Sequence, residues 1–145
     1  VVPPGGHYDL IRGAELSASP GGRAVLATGR RMTLERREIL RGGCWDYANA
    51  VYDRSGYGIR RRVTVFKAGK RGPYAETTLI RPGDLLSYVN HSYGESEHTA
   101  IFVGWIDRAA RKGLMLSYAG ERRREPARYL PYVLDSVYVV VRPDG

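Results

Sequence analysis

The sequence predicts an α+β domain in which a helix packs on one face of an antiparallel sheet. A helical period runs from about Cys44 to Arg54, whereas the second half carries short segments rich in Val, Ile, Leu and Tyr, bounded by Gly, Pro or Asp. No internal repeat, low-complexity tract or linker divides the 145 residues. A helix followed by a run of strands is the order typical of α+β domains.

The first 30 residues predict an irregular arm. Gly and Pro cluster at residues 3–6 and 17–22, and such clusters usually mark turns. A short strand is expected near residues 24–27, and a short polar helix over residues 34–40 with Thr33 as its N-cap. We therefore expect residues 1–30 to form an arm and residues 31–145 to form a single folded domain.

The helix that begins at Cys44 is the best defined of the predicted elements. Ala48, Val51 and Tyr52 lie four, seven and eight residues after Cys44, which places them on one helical face. A Ser-Gly pair at residues 55–56 is a typical helix end. The predicted strands cover residues 62–66, 84–89, 98–105, 113–118 and 136–142.

The chain is strongly basic, with a formal net charge of +8, and its arginines include runs at residues 60–62 and 122–124. The simplest interpretation is that these are solvated loop charges, although a basic surface also favours a polyanionic partner such as an acidic cell-wall polymer. No nucleic-acid partner is expected, because no zinc-finger spacing, RNP-like motif or repeated basic-aromatic register is present. No apolar stretch approaches the roughly 18 to 20 residues that a membrane span needs.

The single cysteine has the sequence context of a nucleophile. Cys44 follows Gly42-Gly43 and opens the predicted helix, where unpaired N–H groups and the helix dipole stabilise a thiolate. Its own N–H is a candidate oxyanion donor. One Cys excludes an intrachain disulfide, and one Cys with three His predicts neither a metal site nor a cofactor. The alternative is that Cys44 is a small buried hydrophobic residue.

His98 is the best placed of the three histidines to act as a base. It begins the apolar segment 98–105, which predicts a central strand, directly after a polar loop. A histidine at that end of a sheet can reach a helix N-terminus, accept the proton of Cys44 and later return it to the leaving amine. The alternative is a solvent-exposed loop histidine.

Three segments in this order together resemble the papain-like superfamily, and within it the NlpC-type and CHAP-type amidases. The segments are Gly43-Cys44-Trp45-Asp46-Tyr47-Ala48, Arg81-Pro82-Gly83-Asp84-Leu85-Leu86 and His98-Thr99-Ala100-Ile101-Phe102-Val103-Gly104. The resemblance spans residues 40–120. It implies that residues 31–145 are a papain-like catalytic domain, whose N-terminal helix bears Cys44 and whose central antiparallel sheet bears His98.

The same resemblance implies a third catalytic residue on the strand that follows His98. Such enzymes carry there a polar group that orients the histidine, and Ser117 is the best-aligned candidate, with Tyr118 or Glu121 as the fallback. At the nucleophile this chain has Gly43-Cys44-Trp45, where NlpC-type enzymes usually have Asp-Cys-Ser/Thr. Trp45, Tyr88 and Tyr118 are candidate substrate-binding rings, although most of the tyrosines could equally be half-buried surface rings.

The predicted function is a cysteine peptidase or amidase. The resemblance implies bacterial peptidoglycan as the substrate, a secreted, periplasmic or cell-envelope location, and an immunity or inhibitor protein as a further partner if the enzyme is a toxin. Two alternatives remain open. The same Cys–His pair would serve deamidation, transamidation or acyl transfer to a protein, and the fold would also suit a basic binding module without catalysis.

Overall fold

The computed structural model describes residues 7–145, which form an α+β fold with three α-helices packed on a six-stranded antiparallel sheet. The helices are α1 (Tyr8–Ser17), α2 (Pro20–Arg30) and α3 (Cys44–Arg54). The strands are β1 (Arg62–Lys67), β2 (Leu85–Asn90), β3 (Ser96–Asp107), β4 (Lys112–Ser117), β5 (Arg128–Val133) and β6 (Val137–Pro143). Their order across the sheet is β1-β6-β2-β3-β4-β5.

The predicted helix at Cys44 is confirmed, since α3 has the expected bounds. The five predicted strands are also confirmed, as β1, β2, β3, β4 and β6, with ends within two residues of those expected. These elements have a clear apolar period and end at Gly, Pro or Asp, so their local sequence and their tertiary environment agree.

The irregular arm is corrected, because residues 8–30 form α1 and α2. Residues 1–6 lie outside the described part of the chain. The expected strand at residues 24–27 lies inside α2, whose N-terminus is capped by Ser19 with Pro20 in the first turn. Tertiary packing outweighs the low helix propensity of glycine here, since a Cβ at Gly22 would lie 2.6 Å from the Pro82 carbonyl oxygen and one at Gly29 would lie 2.5 Å from Leu116. Both glycines allow α2 to approach the sheet closely.

The expected helix over residues 34–40 is also corrected. The chain leaves α2 through a π-helical turn at Arg31–Glu35, and residues 37–40 have no regular secondary structure. Arg37 has a φ of +50°, which a helix does not allow. The segment from residue 36 to Gly43 is therefore a loop that leads into α3.

The strand β5 was not predicted. Its Pro131 lacks a backbone N–H, and proline is found mainly on edge strands. The structure has this arrangement, since β5 lies at the edge of the sheet and pairs only with β4. The proline therefore concealed the strand in the sequence without preventing it in the fold.

Both faces of the sheet are covered. On one face the helices contribute Ile11, Val25, Leu26, Val51 and Tyr52, which pack against Ile101, Val103 and Leu116. On the other face a second cluster contains Ala75, Ile80, Leu86, Tyr88, Phe102, Met115, Leu134 and Val140. Within residues 7–145, no helix is long and apolar enough to cross a membrane.

The Arg-Pro-Gly-Asp segment fixes the start of β2. Asp84 is buried, accepts a hydrogen bond from the Arg81 N–H, and pairs with Arg142 of β6 through both carboxylate oxygens at 2.8 Å. Gly83 has a φ of +96°, and a Cβ there would lie 2.6 Å from the Gly22 Cα. The segment is thus a structural connection between α2, β2 and β6.

Candidate functional site

Cys44 occupies the first turn of α3 and is partly exposed. The Asp46 carboxylate accepts a hydrogen bond from the Gly43 N–H at 2.8 Å, which closes the helix N-terminus. Gly42 has a φ of +102°, a conformation that favours glycine. A Cβ at Gly43 would meet nothing within 4 Å, so the approach to Cys44 from this side is open. The alternative of a fully buried cysteine is therefore wrong.

The loop before Cys44 is attached to the segment that follows β4. The Tyr118 hydroxyl donates to the Leu40 carbonyl at 2.6 Å, and the Glu121 N–H donates to the Gly42 carbonyl at 2.9 Å. Ser117 is the last residue of β4 and directly precedes this segment. These two hydrogen bonds hold the N-terminus of α3 at the end of the sheet where β4 ends.

His98 reaches the same end of the sheet from β3. Its Nε2 lies 2.7 Å from Ser117 Oγ, and Ser117 Oγ lies 3.2 Å from the Tyr132 hydroxyl of β5. Within residues 7–145 no hydrogen bond involves the other ring nitrogen, Nδ1. When Nε2 carries the proton and donates to Ser117, Nδ1 is the basic nitrogen. The structure therefore brings Ser117, the candidate that the resemblance implied, into contact with His98.

Two tyrosine rings enclose the His98 imidazole. Tyr88 lies opposite His98 in the β2–β3 register, and the two rings meet edge to face with centroids 5.7 Å apart. The Tyr132 ring lies 5.9 Å from the imidazole and 5.4 Å from the Tyr88 ring. This burial lowers the pKa of His98, because the charged imidazolium loses hydration. His98 is therefore neutral at neutral pH, as a general base must be.

Two buried tyrosines, Tyr88 and Tyr138, have raised pKa values. Burial is the main cause that raises the pKa of Tyr88, and the neighbouring Tyr132 and a Cys44 thiolate add to it. The pKa of Tyr138 is also raised, by burial first, then by Glu97, to which it donates a hydrogen bond at 3.0 Å, and then by Cys44. Tyr88 contacts His98, so the effect of Cys44 on Tyr88 is the observation that relates the two candidate catalytic residues, and within residues 7–145 no hydrogen bond joins Cys44 to His98.

The Tyr88 hydroxyl has no hydrogen-bond partner among residues 7–145, although it is fully buried. Such an unpaired group costs about 1 to 3 kcal/mol of stability. Unpaired buried groups are uncommon in native proteins and often mark functional regions. The hydroxyl belongs to a ring that contacts His98, so the unpaired group lies beside the candidate base.

A cavity of about 450 Å³ opens beside His98. Its lining comes from the β2–β3 hairpin, the end of β4, the following turn and β5, namely Asn90, Ser92, Tyr93, Ser96, Glu97, His98, Ser117, Ala119, Arg123, Arg128, Leu130 and Tyr132. A volume in this range is typical of sites for small ligands or for part of a larger substrate. His98 and Ser117 belong to this lining, so a group bound in the cavity lies against the candidate base, whereas Cys44 is not one of the lining residues.

The three rings expected to bind substrate have different environments. Trp45 is 47% exposed on the first turn of α3 and is available to a ligand. Tyr88 and Tyr118 are buried, which corrects the expectation that their ring faces line a groove. Tyr118 stacks on Tyr47 with centroids 4.5 Å apart and holds the loop before Cys44, so its role is structural.

Sequence reasoning missed Tyr132, Arg123 and Arg128 as site residues. Tyr132 and Arg128 belong to β5, the strand concealed by Pro131. The aromatic and aliphatic residues from Tyr129 to Val133, combined with the tolerance of proline on an edge strand, are the signal that could have found them. Arg123 was noticed only as part of a basic run.

Comparisons with protein family models, with curated proteins and with solved structures find no match. The site geometry therefore carries the functional inference.

Proposed function

We propose that this protein is a cysteine hydrolase that cleaves an amide bond, with Cys44 as nucleophile, His98 as general base and Ser117 as the residue that orients His98. The contact of 2.7 Å between His98 Nε2 and Ser117 Oγ is the observation that carries the proposal, because in the tautomer that donates from Nε2 to Ser117 the other nitrogen, Nδ1, is the base. The open space at Gly43 gives a substrate carbonyl access to the thiol.

The proposed reaction has two half-reactions. Cys44 transfers its proton to His98 Nδ1, and the thiolate attacks the carbonyl carbon to give a tetrahedral intermediate whose oxyanion is stabilised by the Cys44 N–H and the helix dipole. The C–N bond then breaks, and His98 gives the proton to the leaving amine. Water, deprotonated by His98, attacks the thioester and releases the acid, and the proton returns to Cys44. Ser117 accepts the Nε2 hydrogen bond throughout.

The proposed fold type is papain-like, and the proposed substrate is bacterial peptidoglycan, in the stem peptide or the amide that joins stem to glycan. Three sequence segments that resemble NlpC-type and CHAP-type amidases support both proposals. The net charge of +8 supports an acidic polymer as substrate. A cell-envelope location follows from that substrate.

The experiment is incubation with purified peptidoglycan followed by mass spectrometry of the released muropeptides. We expect new peptide or amide ends with the wild type, none with Cys44→Ala or His98→Gln, and a decrease of about tenfold or more in kcat with Ser117→Ala, because the imidazole loses its orientation. His91→Gln is the matched control, since His91 lies outside the cavity lining and should leave kcat unchanged. A folded Cys44→Ala variant that still releases new ends would exclude the mechanism.

A substrate-independent measurement tests the same assignment. Alkylation of Cys44 by iodoacetamide should be faster at pH 6 to 7 than that of a free thiol, and His98→Gln should slow it. Equal rates for the wild type, the His98→Gln variant and a free thiol would show that the thiol is not activated and would favour the non-catalytic alternative. Thiol activation without new muropeptide ends would favour deamidation or acyl transfer to a protein.

A further inference from the structure

The lining of the cavity beside His98 includes two positively charged side chains, Arg123 and Arg128. Arg123 comes from the short turn Glu121–Arg123 after β4, and Arg128 is the first residue of β5. Register places Arg128 directly across from Ser117 on the neighbouring strand. The two guanidinium groups therefore belong to the same cavity as the His98 imidazole.

Acidic side chains of the protein neutralise the positive charges of these two arginines only weakly. Among residues 7–145, no carboxylate lies within 4 Å of Arg123, and Arg128 meets Glu125 at 3.6 Å, with both side chains substantially exposed. Exposed pairs of this kind contribute little. Glu97 is the one acidic side chain among the described residues that line the cavity, and its Oε1 already accepts the Tyr138 hydroxyl.

The two guanidinium groups are suited to bind a carboxylate. A guanidinium group presents N–H donors in a planar fork that matches the two oxygens of a carboxylate, and such charge-assisted bonds are stronger than neutral ones. The positive field increases towards the interior of a concave surface, which attracts an anionic group. Neutral His98 and the hydroxyls of Ser117 and Tyr132 add uncharged polar contacts, and Glu97 is the one negative group in the described lining.

We propose that this cavity is a subsite for a substrate residue that carries a free carboxylate next to the amide bond cleaved by Cys44. The inference rests on the proposed function, whose substrate it narrows to carboxylate-bearing peptides. Arg123 is the principal ligand of the carboxylate, because within residues 7–145 no carboxylate lies within 4 Å of it, and Arg128, which meets Glu125, is the second ligand.

The test uses two forms of the same soluble muropeptides, one native and one in which carbodiimide and ammonia have converted the carboxylates to carboxamides. Wild type should cleave the native form with a kcat/KM about tenfold above that of the amidated form. Arg123→Gln should remove this preference by raising KM for the native form alone, and Arg128→Gln should reduce it less. Arg122→Gln is the matched control, since Arg122 is an exposed neighbour outside the cavity lining.

A binding measurement separates failure of this inference from failure of the proposed function. Calorimetry with the Cys44→Ala variant should show tighter binding of native than of amidated muropeptides, and Arg123→Gln in the same background should abolish the difference. Selective binding without turnover by the wild type would support the subsite while overturning the hydrolase. Cleavage with no preference for the native form, unchanged by Arg123→Gln, would overturn the subsite while supporting the hydrolase.

Discussion

His98 is held by one hydrogen bond and two aromatic rings, and this environment determines its protonation state. Its hydrogen-bond partner, Ser117, is neutral, so within residues 7–145 no carboxylate is bonded to the imidazole to compensate for lost hydration. A carboxylate in that place would stabilise the imidazolium, whereas a hydroxyl orients the ring and leaves the neutral form favoured. Ser117 thus orients the imidazole but does not stabilise its charged form.

This environment predicts the acid limb of the pH–rate profile. Because the pKa of His98 is lowered from 6.5, the ring loses its proton at a lower pH than an ordinary histidine, so the acid limb of kcat/KM should lie below pH 6.5. His91 has the opposite shift, and a limb caused by it would lie above pH 6.5. A profile measured with wild type and His91→Gln should show the same acid limb. A limb above pH 6.5, or one moved by His91→Gln, would contradict the assignment to His98.

The β2–β3 hairpin is the element that connects the candidate site to a second histidine. His91 begins its turn, with Nδ1 2.7 Å from Glu95 Oε2 and Nε2 2.7 Å from Asp135 Oδ1 in the segment before β6. Both ring nitrogens face carboxylates, so both bonds require the protonated ring. The hydrogen bond to Asp135 first, and then that to Glu95, raise the pKa of His91. The hairpin also carries Ser92 and Tyr93 to the mouth of the cavity.

The hairpin should therefore be stabilised in a defined pH range. A histidine whose pKa is raised by folding contributes stability that is fully present below its unfolded pKa of about 6.5 and is lost as the pH rises through the higher folded value. The Tm advantage of wild type over His91→Gln should thus be larger at pH 5.5 than at pH 8.5, by a small amount because the side chain is 37% exposed. An advantage that is constant, or that increases with pH, would show that the two carboxylates do not hold the ring.

At the scale of the whole molecule, sequence predicted those elements whose local pattern and tertiary role agree. The helix at Cys44 and five strands have a distinct apolar period and glycine or proline at their ends. The helix α2 was missed because its glycines reduce helix propensity, and the reason for them, close packing against Pro82 and Leu116, exists only in three dimensions. The strand β5 was missed because the tolerance of Pro131 depends on an edge position that the sequence does not state.

The residues of the candidate site also divide into those that the sequence predicted and those that it missed. Cys44, His98 and Ser117 could be selected from order and spacing, since each begins or ends a well-defined element. The partners Tyr132, Arg123 and Arg128 lie on the missed strand or in an irregular turn, and their relation to His98 depends on strand pairing between β4 and β5. Burial of Tyr88 and Tyr118 depends on which face of the sheet is covered, which sequence alternation alone did not establish.

Two leucines test whether residues 8–30 belong to the core of the molecule. Leu26 of α2 is 4% exposed and packs in the cluster between the helices and the sheet, whereas Leu16 of α1 is 66% exposed. Leu26→Ala should lower the free energy of unfolding by about 2 to 5 kcal/mol, because it removes buried apolar surface and leaves a cavity. The chemically identical change Leu16→Ala should cost less than about 0.5 kcal/mol. Urea denaturation measures both, and an irregular arm would make both substitutions silent. A large effect confined to Leu26 would show that α2 folds together with the sheet that carries His98.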